Sequence, residues 1–257
     1  MNAADQTPVL DEVTARFAKI VAAQHLLDAE VAVRVSTLTP EQAIGQPTRR
    51  DFPIVEGKER VIEATFLGAR GHAFTDSPQD FNGTLRDVLA LPLTSNPNRA
   101  VFLAVLNAVM RSLGMIDASL HCKDDDPEKC AKELAAHVQS IWGRTTVGLI
   151  GLNPAIAEAL VAAFGAENIR ITDLNPDNVG AVKFGVTVWD GRTRTESLVR
   201  ESHVVVVTGT TLVNGTFDEI WKWINSFGAG YLIYGVTAAG VCELMGWSRM
   251  CPYARDG

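Results

Sequence analysis

What this chain lacks narrows its function before any motif is found. No apolar run in its 257 residues is long enough to span a bilayer; Val204–Val207, for one, is far too short. Basic residues are not in excess: 23 Lys and Arg stand against 30 Asp and Glu, for a net charge of −7. Nucleic acids and anionic membranes require a basic face, so neither partner is expected, nor is membrane insertion. Residues Met1–Thr7 have no basic n-region and no apolar h-region, so no signal peptide is expected and the cytoplasm is the expected compartment. Cysteines number only four. Disulfides are uncommon in that compartment, where paired cysteines more often mean metal or redox chemistry. Internal repeats, low-complexity segments, a G-x-G-x-x-G fingerprint and a Ser/His/Asp order are all missing. What is present, 47% hydrophobic and 21% charged residues, suits a globular protein of one large or two ordinary domains.

The pattern changes along the chain. Val9, Val13, Phe17, Ile20, Val21 and Leu27 fall near one face of a helix over 9–27. Ala32–Thr37 and Arg60–Phe66 read as strands, with His72–Thr75 as a third, punctuated by Gly68, Gly71 and Gly83. A short helix capped by Asn82 or Thr84 follows. Then comes a long amphipathic helix over Asn98–Leu113, with Val101, Val105, Ala108 and Leu113 inside and Gly114 as its stop. Strands followed by helices predict a compact α+β unit.

The second half alternates. Val147–Ile150, Ile169–Thr172, Val204–Val207 and Tyr231–Tyr234 read as strands. Helices open at Asn153-Pro154, at the capping-box spacing Thr216-Phe217-Asp218-Glu219, and near Ala238. Phe184–Trp189 and the neighbourhood of Leu198 are ambiguous. This βαβ rhythm predicts a Rossmann-like, doubly wound parallel sheet. The connection falls near Trp142-Gly143-Arg144, after a helix beginning at Pro127. Counting that cysteine-bearing helix with the second unit, the expected domains are 1–120 and 121–257.

Chemistry concentrates in His121-Cys122-Lys123-Asp124-Asp125-Asp126-Pro127-Glu128-Lys129-Cys130. Asp125 or Asp126 is a natural N-cap, and Cys130 then lies about one turn in, where the helix dipole lowers a thiol's pKa. Thiolates with His121 and a carboxylate suit a soft or borderline divalent metal, although C-x7-C is no standard zinc knuckle. An acidic N-cap beside two partly buried thiols, or a redox pair, fits the same residues. Cys251 is the better further ligand; Cys242 reads as a core thiol.

Three loops predict a ligand edge at the carboxyl ends of the parallel strands. Gly148 and Gly151, with Asn153, form a strand-to-helix turn where a ligand can approach the backbone. Asp173 ends the next strand where a ribose-binding acid sits in nucleotide-binding sheets; Asp173-Leu174-Asn175-Pro176 equally reads as a tight Asx turn, with Asn175 beside it. Thr208, Gly209, Thr210, Thr211 and Asn214 form a permissive polar loop, and Gly235–Gly240 lies on the same edge. His72 reads as structural or cleft-facing, and Asn98-Arg99 as an anion contact or a solvated helix start.

These residues carry a resemblance. His121-Cys122-Lys123-Asp124 with Pro127-Glu128-x-Cys130 is similar to the signature of a family named for heavy-metal chelation, a group of uncharacterised prokaryotic proteins. Similarity extends to Asn98-Arg99-Ala100-Val101, Leu106-Asn107-Ala108, Asp173–Pro176, Val207–Asn214 and Cys251-Pro252-Tyr253, from about Gly57 onward. The resemblance implies an enolase-N-terminal-like α+β domain, a Rossmann-like domain and a ligand site between them. One departure is the loop Gly235-Val236-Thr237-Ala238, where relatives often carry a Gly-Pro-Ser/Thr-like turn.

The leading expectation is binding of a transition metal ion, or of a metal-containing or anionic small ligand, in the interdomain cleft, through Cys122 and Cys130 with His121 or Cys251. The alternative is an enzyme using a nucleotide-like cofactor of the NAD or S-adenosylmethionine type at the Rossmann-like domain. A third reading is a non-catalytic scaffold; homodimer formation stays open.

Overall fold

The structure, a computed structural model, describes residues 7–27, 33–57 and 59–257. The expected strand start at Ala32 and the segment Met1–Gln6 lie outside the described residues. Helix α1 (Val9–Ala23) buries Val9, Val13, Phe17 and Val21, one residue per turn on one face, and ends four residues before Leu27.

Among the described residues an antiparallel sheet follows in the order β3-β2-β1-β4, from β1 (Val33–Thr37), β2 (Arg60–Phe66), β3 (Ala69–Thr75) and β4 (Phe81–Gly83). The β2–β3 hairpin pairs Phe66 with Ala69, so Leu67 (φ 50°) and Gly68 (φ 85°) form a two-residue turn with both φ positive. Short helices α2 (Pro40–Ile44) and α3 (Leu85–Leu89) each start at a capping box, Thr39 with Gln42 and Thr84 with Asp87.

Helix α4 (Asn96–Ser112) differs from the amphipathic helix expected: every residue from Ala100 to Met110 is buried. It runs between the antiparallel sheet and the rest of the molecule. A Cβ on Gly71 of β3 would strike the backbone of Ala108, and one on Gly240 would come within 2.8 Å of Leu106. Asn107 lies wholly buried within this contact. Its amide donates to the carbonyls of His72 and Val236 at 3.0 Å, and its oxygen accepts from the Gly240 N–H at 2.8 Å. A polar side chain at such a place must be satisfied, and Asn107 thereby joins β3 to the last turns of the second half.

Helix α5 (Asp126–Trp142) leads to the second sheet. Its strands are β5 (Val147–Ile150), β6 (Ile169–Asp173), β7 (Val182–Lys183), β8 (Val186–Asp190), β9 (Val204–Thr208), β10 (Gly230–Tyr234) and β11 (Arg249–Met250), in the order β11-β10-β9-β5-β6-β8-β7. All pairings are parallel except β7–β8. Helices α6 (Pro154–Phe164), α7 (Gly191–Arg200), α8 (Thr210–Asn214), α9 (Phe217–Phe227) and α10 (Ala239–Met245) connect them. The strand order reverses direction between β5 and β9, as the doubly wound reading requires. The ambiguous region resolves into the β7–β8 hairpin and α7. The expected capping box at Thr216 does not form: Thr216 is itself in the helical region, and its hydroxyl donates to Asn214 Oδ1 at 2.8 Å.

The fold is thus α/β, with an antiparallel sheet and a mostly parallel one. One apolar cluster runs from α1 and the antiparallel sheet through α4 to α9 and α10; a second joins α2, α5 and α6 to the parallel strands. Among the described residues no helix is long and apolar enough to cross a membrane.

Candidate functional site: a cavity with a thiol wall

The carboxyl ends of β5, β6, β9 and β10 open onto a cavity of about 790 Å³, lined also by His121, Cys122, Cys130, Cys251 and, from the antiparallel side, Glu59, Thr75 and Asp76. Ligands of doubly wound sheets bind at this edge, at the point where strand order reverses.

The thiol wall begins with the aspartates. Asp125 occupies the N-cap of α5, yet its side chain does not cap; Oδ1 instead accepts from Thr48 N at 2.8 Å. Asp124 (φ 57°) accepts from Gln46 N at 2.9 Å and donates its own N–H to Ile44 O at 2.8 Å. Asp126 pairs with Lys129. The acidic run therefore fastens the segment after α2 to the start of α5. The cysteines on either side of it, Cys122 and Cys130, line the cavity.

The backbone N–H of His121 donates to His72 Nδ1 at 3.1 Å, so His72 carries its proton on Nε2 and donates to Glu63 Oε2 at 2.9 Å. That bond holds the Glu63 carboxyl below its usual range. His72 is structural and does not line the cavity. The His121 ring meets Phe74 edge-on at 4.9 Å, with its nitrogens 3.9 and 4.0 Å from Cys122 Sγ. Burial, then the neighbouring His72, lowers the His121 pKa to about 4, leaving a neutral imidazole with a lone pair to offer.

Cys130 departs from expectation. It is the fifth residue of α5, past the reach of the helix dipole, and its thiol is held protonated by its hydrogen bond to Cys251 and by burial. Cys251 is lowered in turn by the neighbouring Cys130 thiol, against the opposing effect of burial, with Arg249 adding positive charge; the Ala254 N–H donates to the Cys251 carbonyl at 3.1 Å. Burial pushes the Cys122 thiol up. Cys242 packs in the core on α10, where burial pushes it up to about 12. Among the described residues, no three His, Cys, Asp or Glu side chains are grouped to hold a metal ion as they stand.

The crevice end is built from the three expected loops. Gly151 (φ 85°) turns the chain after β5, where a Cβ would lie 2.5 Å from Thr208 Cγ2. Asp173 Oδ2 accepts from Leu152 N and Oδ1 from Asn175 N, both at 2.7 Å, so the Asx turn is present and also clamps the neighbouring loop. Asn153 caps α6 through Ile156 N. Residues 210–214, expected as loop, form the single turn α8. Thr211 Oγ1 donates to Thr208 O at 2.6 Å, and Gly215 (φ 79°) ends the turn. Asn175, Thr208, Gly209, Thr210 and Asn214 line the cavity with them. Gly148 does not; it lies within β5, where a Cβ would strike Leu198. Arg99 is no anion contact: its guanidinium donates to Val213 O, Leu93 O and Asn96 Oδ1.

Sequence reasoning missed Glu59 and Tyr234. Tyr234 donates its hydroxyl to Gly151 O at 3.1 Å. Glu59 sits in a charged run that reads as solvated surface. Burial first, then the like charges of Asp173 and Asp76, raise its carboxyl to about 7. Only the folded topology brings these three carboxylates together.

Fold and cavity define an α/β protein with a cavity at the carboxyl edge of a mostly parallel sheet. Residues 134–244 match the model of the DUF364 family, described as "Putative heavy-metal chelation". The resemblance read from the sequence is thereby shown for the parallel-sheet half. The matched span contains none of His121, Cys122, Cys130 and Cys251. Two solved structures of DUF364 proteins, both described as of unknown function, are similar to the chain. One, from Pyrococcus horikoshii, has 11% identity over 90% of this chain and 79% of its own, with a TM-score of 0.49. The other, from Desulfitobacterium hafniense DCB-2, has 16% identity over 72% of each chain, with a TM-score of 0.47. No functionally curated protein matches the chain.

Proposed function

We propose that this protein binds a thiophilic metal ion, carried by a small organic group, with Cys122, Cys130, Cys251 and His121 as the soft donors. The observation that carries this reading is the convergence, on one cavity wall, of three thiols and a neutral imidazole from two segments remote in sequence. The donor chemistry fits a soft or borderline divalent ion. Cys122 and Cys130 are protonated without the metal, so binding must displace their protons and must strengthen as pH rises. The family description, metal chelation, supports the general role alone.

A cavity of about 790 Å³ is far larger than an ion and falls in the range of small-molecule sites, which supports an organic part resting against Gly151, Asp173 and Thr208–Asn214. Among the described lining residues Glu59, Asp76, Asp173, Asp177 and Glu219 face a single cation, Arg192. This favours a cationic ligand over an anionic one, and weighs against a phosphate-bearing nucleotide cofactor. The unit over 1–120, enolase-N-terminal-like in this reading, supplies the second wall of the cleft and residues 121–257 the first.

Metal content of anaerobically purified protein, by mass spectrometry, tests the reading. Stoichiometric metal in the wild type, lost in Cys130→Ser/Cys251→Ser, is expected. A wild type that neither holds metal nor takes up added zinc, cobalt or nickel would contradict it.

A further inference from the structure

We infer that the organic ligand of the cavity is a linear aliphatic amine with two or more ammonium groups, held by Glu59 and Asp76 at one end and by Asp173 or Glu219 further along. This deepens, and rests on, the reading of the cavity as a site for a cationic organic group.

The antiparallel sheet places the first pair. Arg60 of β2 pairs with Thr75 of β3, so Glu59 and Asp76, one residue further out, stand opposite one another where the hairpin opens. Both line the cavity. Like charges directly opposite on neighbouring strands repel, and a cation between them removes that cost. Asp76 accepts from Asn96 Nδ2 at 3.1 Å and from Ser77 Oγ at 3.0 Å, neutral donors that leave its charge uncompensated. Glu59 lacks even these: its carboxyl is enclosed by the protein at the cavity wall and accepts no hydrogen bond among the described residues. Burial beside Asp173 and Asp76 raises it to about 7, as expected of a carboxyl without a counter-cation.

The rest of the lining supplies no cation to this pair. Asp173 is fixed by the N–H groups of Leu152 and Asn175, and Asn178 Nδ2 adds a third neutral donor at 3.3 Å. Arg192 donates from Nη1 to Leu174 O at 3.1 Å and pairs with Asp190.

The spacing of the carboxylates decides which cation fits. Among the described residues no three of them are grouped to hold one metal ion. They are spread around a cavity of about 790 Å³, too wide for a compact ion and of a size for an extended small molecule. Phe74, Ile220 and Trp223 line the same cavity and offer apolar surface to methylene groups. Ammonium groups separated by methylenes match that alternation, each ammonium donating to a carboxylate.

The test is calorimetric titration of the reduced, metal-free full chain with spermidine, beside butanediol as an uncharged mimic and magnesium as a compact cation. Saturable binding of spermidine is expected, with none of butanediol. Glu59→Gln and Asp76→Asn should each weaken it about tenfold or more. Glu59→Gln keeps the side chain's size and Asp76 is exposed, so both variants should fold, with circular dichroism as the check. A wild type that ignores spermidine, equal binding by wild type and both variants, or displacement of spermidine by equimolar magnesium would overturn the inference. Its failure is separable from that of the thiol wall. A chain that takes up cadmium but no amine refutes this inference alone; one that binds spermidine but no cadmium refutes the thiol assignment alone.

Discussion

The two ends of the cavity look equally polar in sequence and behave differently in the fold. At the crevice end, Asp173 accepts from two backbone N–H groups, Thr211 donates to Thr208, Thr216 donates to Asn214 and Asn153 caps a helix. These groups hold their own loops. At the thiol end, backbone groups of Tyr253, Gly235 and Ala254 lie against the sulfurs of Cys130 and Cys251, and the His121 ring has the Cys122 backbone and, at 3.9 Å, the Cys122 sulfur beside it. The difference teaches that residue type at a strand end is weak support for ligand contact until each hydrogen bond has been traced. It also predicts that mutations at the two ends will separate binding from stability.

The largest separation should come from Cys130→Ser/Cys251→Ser set against Asp173→Ala. In the thiol variant, metal affinity measured by calorimetry should fall tenfold or more, that is by about 1.4 kcal/mol or more, while stability changes by under ~1 kcal/mol. In Asp173→Ala, two backbone N–H groups lose their acceptor, so urea unfolding should report a loss of about 2–3 kcal/mol with metal affinity nearly unchanged. Equal loss of binding at both ends would erase the distinction.

Gly151→Ala sharpens the crevice side. Its φ of 85° and the 2.5 Å approach to Thr208 force strain that should lower stability by about 1–3 kcal/mol in thermal unfolding.

Glu59 bears on the pH axis. Its carboxyl is raised to about 7 in the fold from 4.5, so between those values the native state holds a proton that the unfolded chain has released. Stability from this group is full below pH 4.5 and is lost as pH rises through 7. Glu59→Gln should remove this slope, gaining about 1–2 kcal/mol on the wild type at pH 8, allowing for partial solvent screening, and little at pH 4. Parallel stability–pH curves for the two proteins would show the carboxyl to be unperturbed. The smallest effect should be Thr211→Val, a loss of about 1 kcal/mol from one hydrogen bond, with metal content intact.

Much of this architecture is legible because parallel sheets leave a strong local mark. Val204–Val207 is apolar on both faces, and Asn153-Pro154 begins a helix on its own chemistry. The misses arise where tertiary contact outweighs local pattern. Helix α4 carries Arg111 and Asn107, so it reads as one-sided, yet Asn107 is satisfied from three directions and lets the helix be buried all round. Asp125 has the right residue type and position for a cap, but Thr48, remote in sequence, takes its carboxylate. Cys251 lines the same cavity as Cys122 and Cys130 because β11 runs parallel beside β10 and delivers the tail there, a route set by topology. Glu59 gives no sign in its charged run that three carboxylates will meet.

The most direct test is a cadmium titration of the reduced full chain, followed through cadmium–thiolate charge-transfer absorption, in wild type and Cys130→Ser/Cys251→Ser. A saturable band at one equivalent of cadmium in the wild type, absent in the variant, is the predicted result. The absence of such a band in the wild type, or an identical band in both proteins, would contradict the assignment of the thiol wall as the metal-binding end.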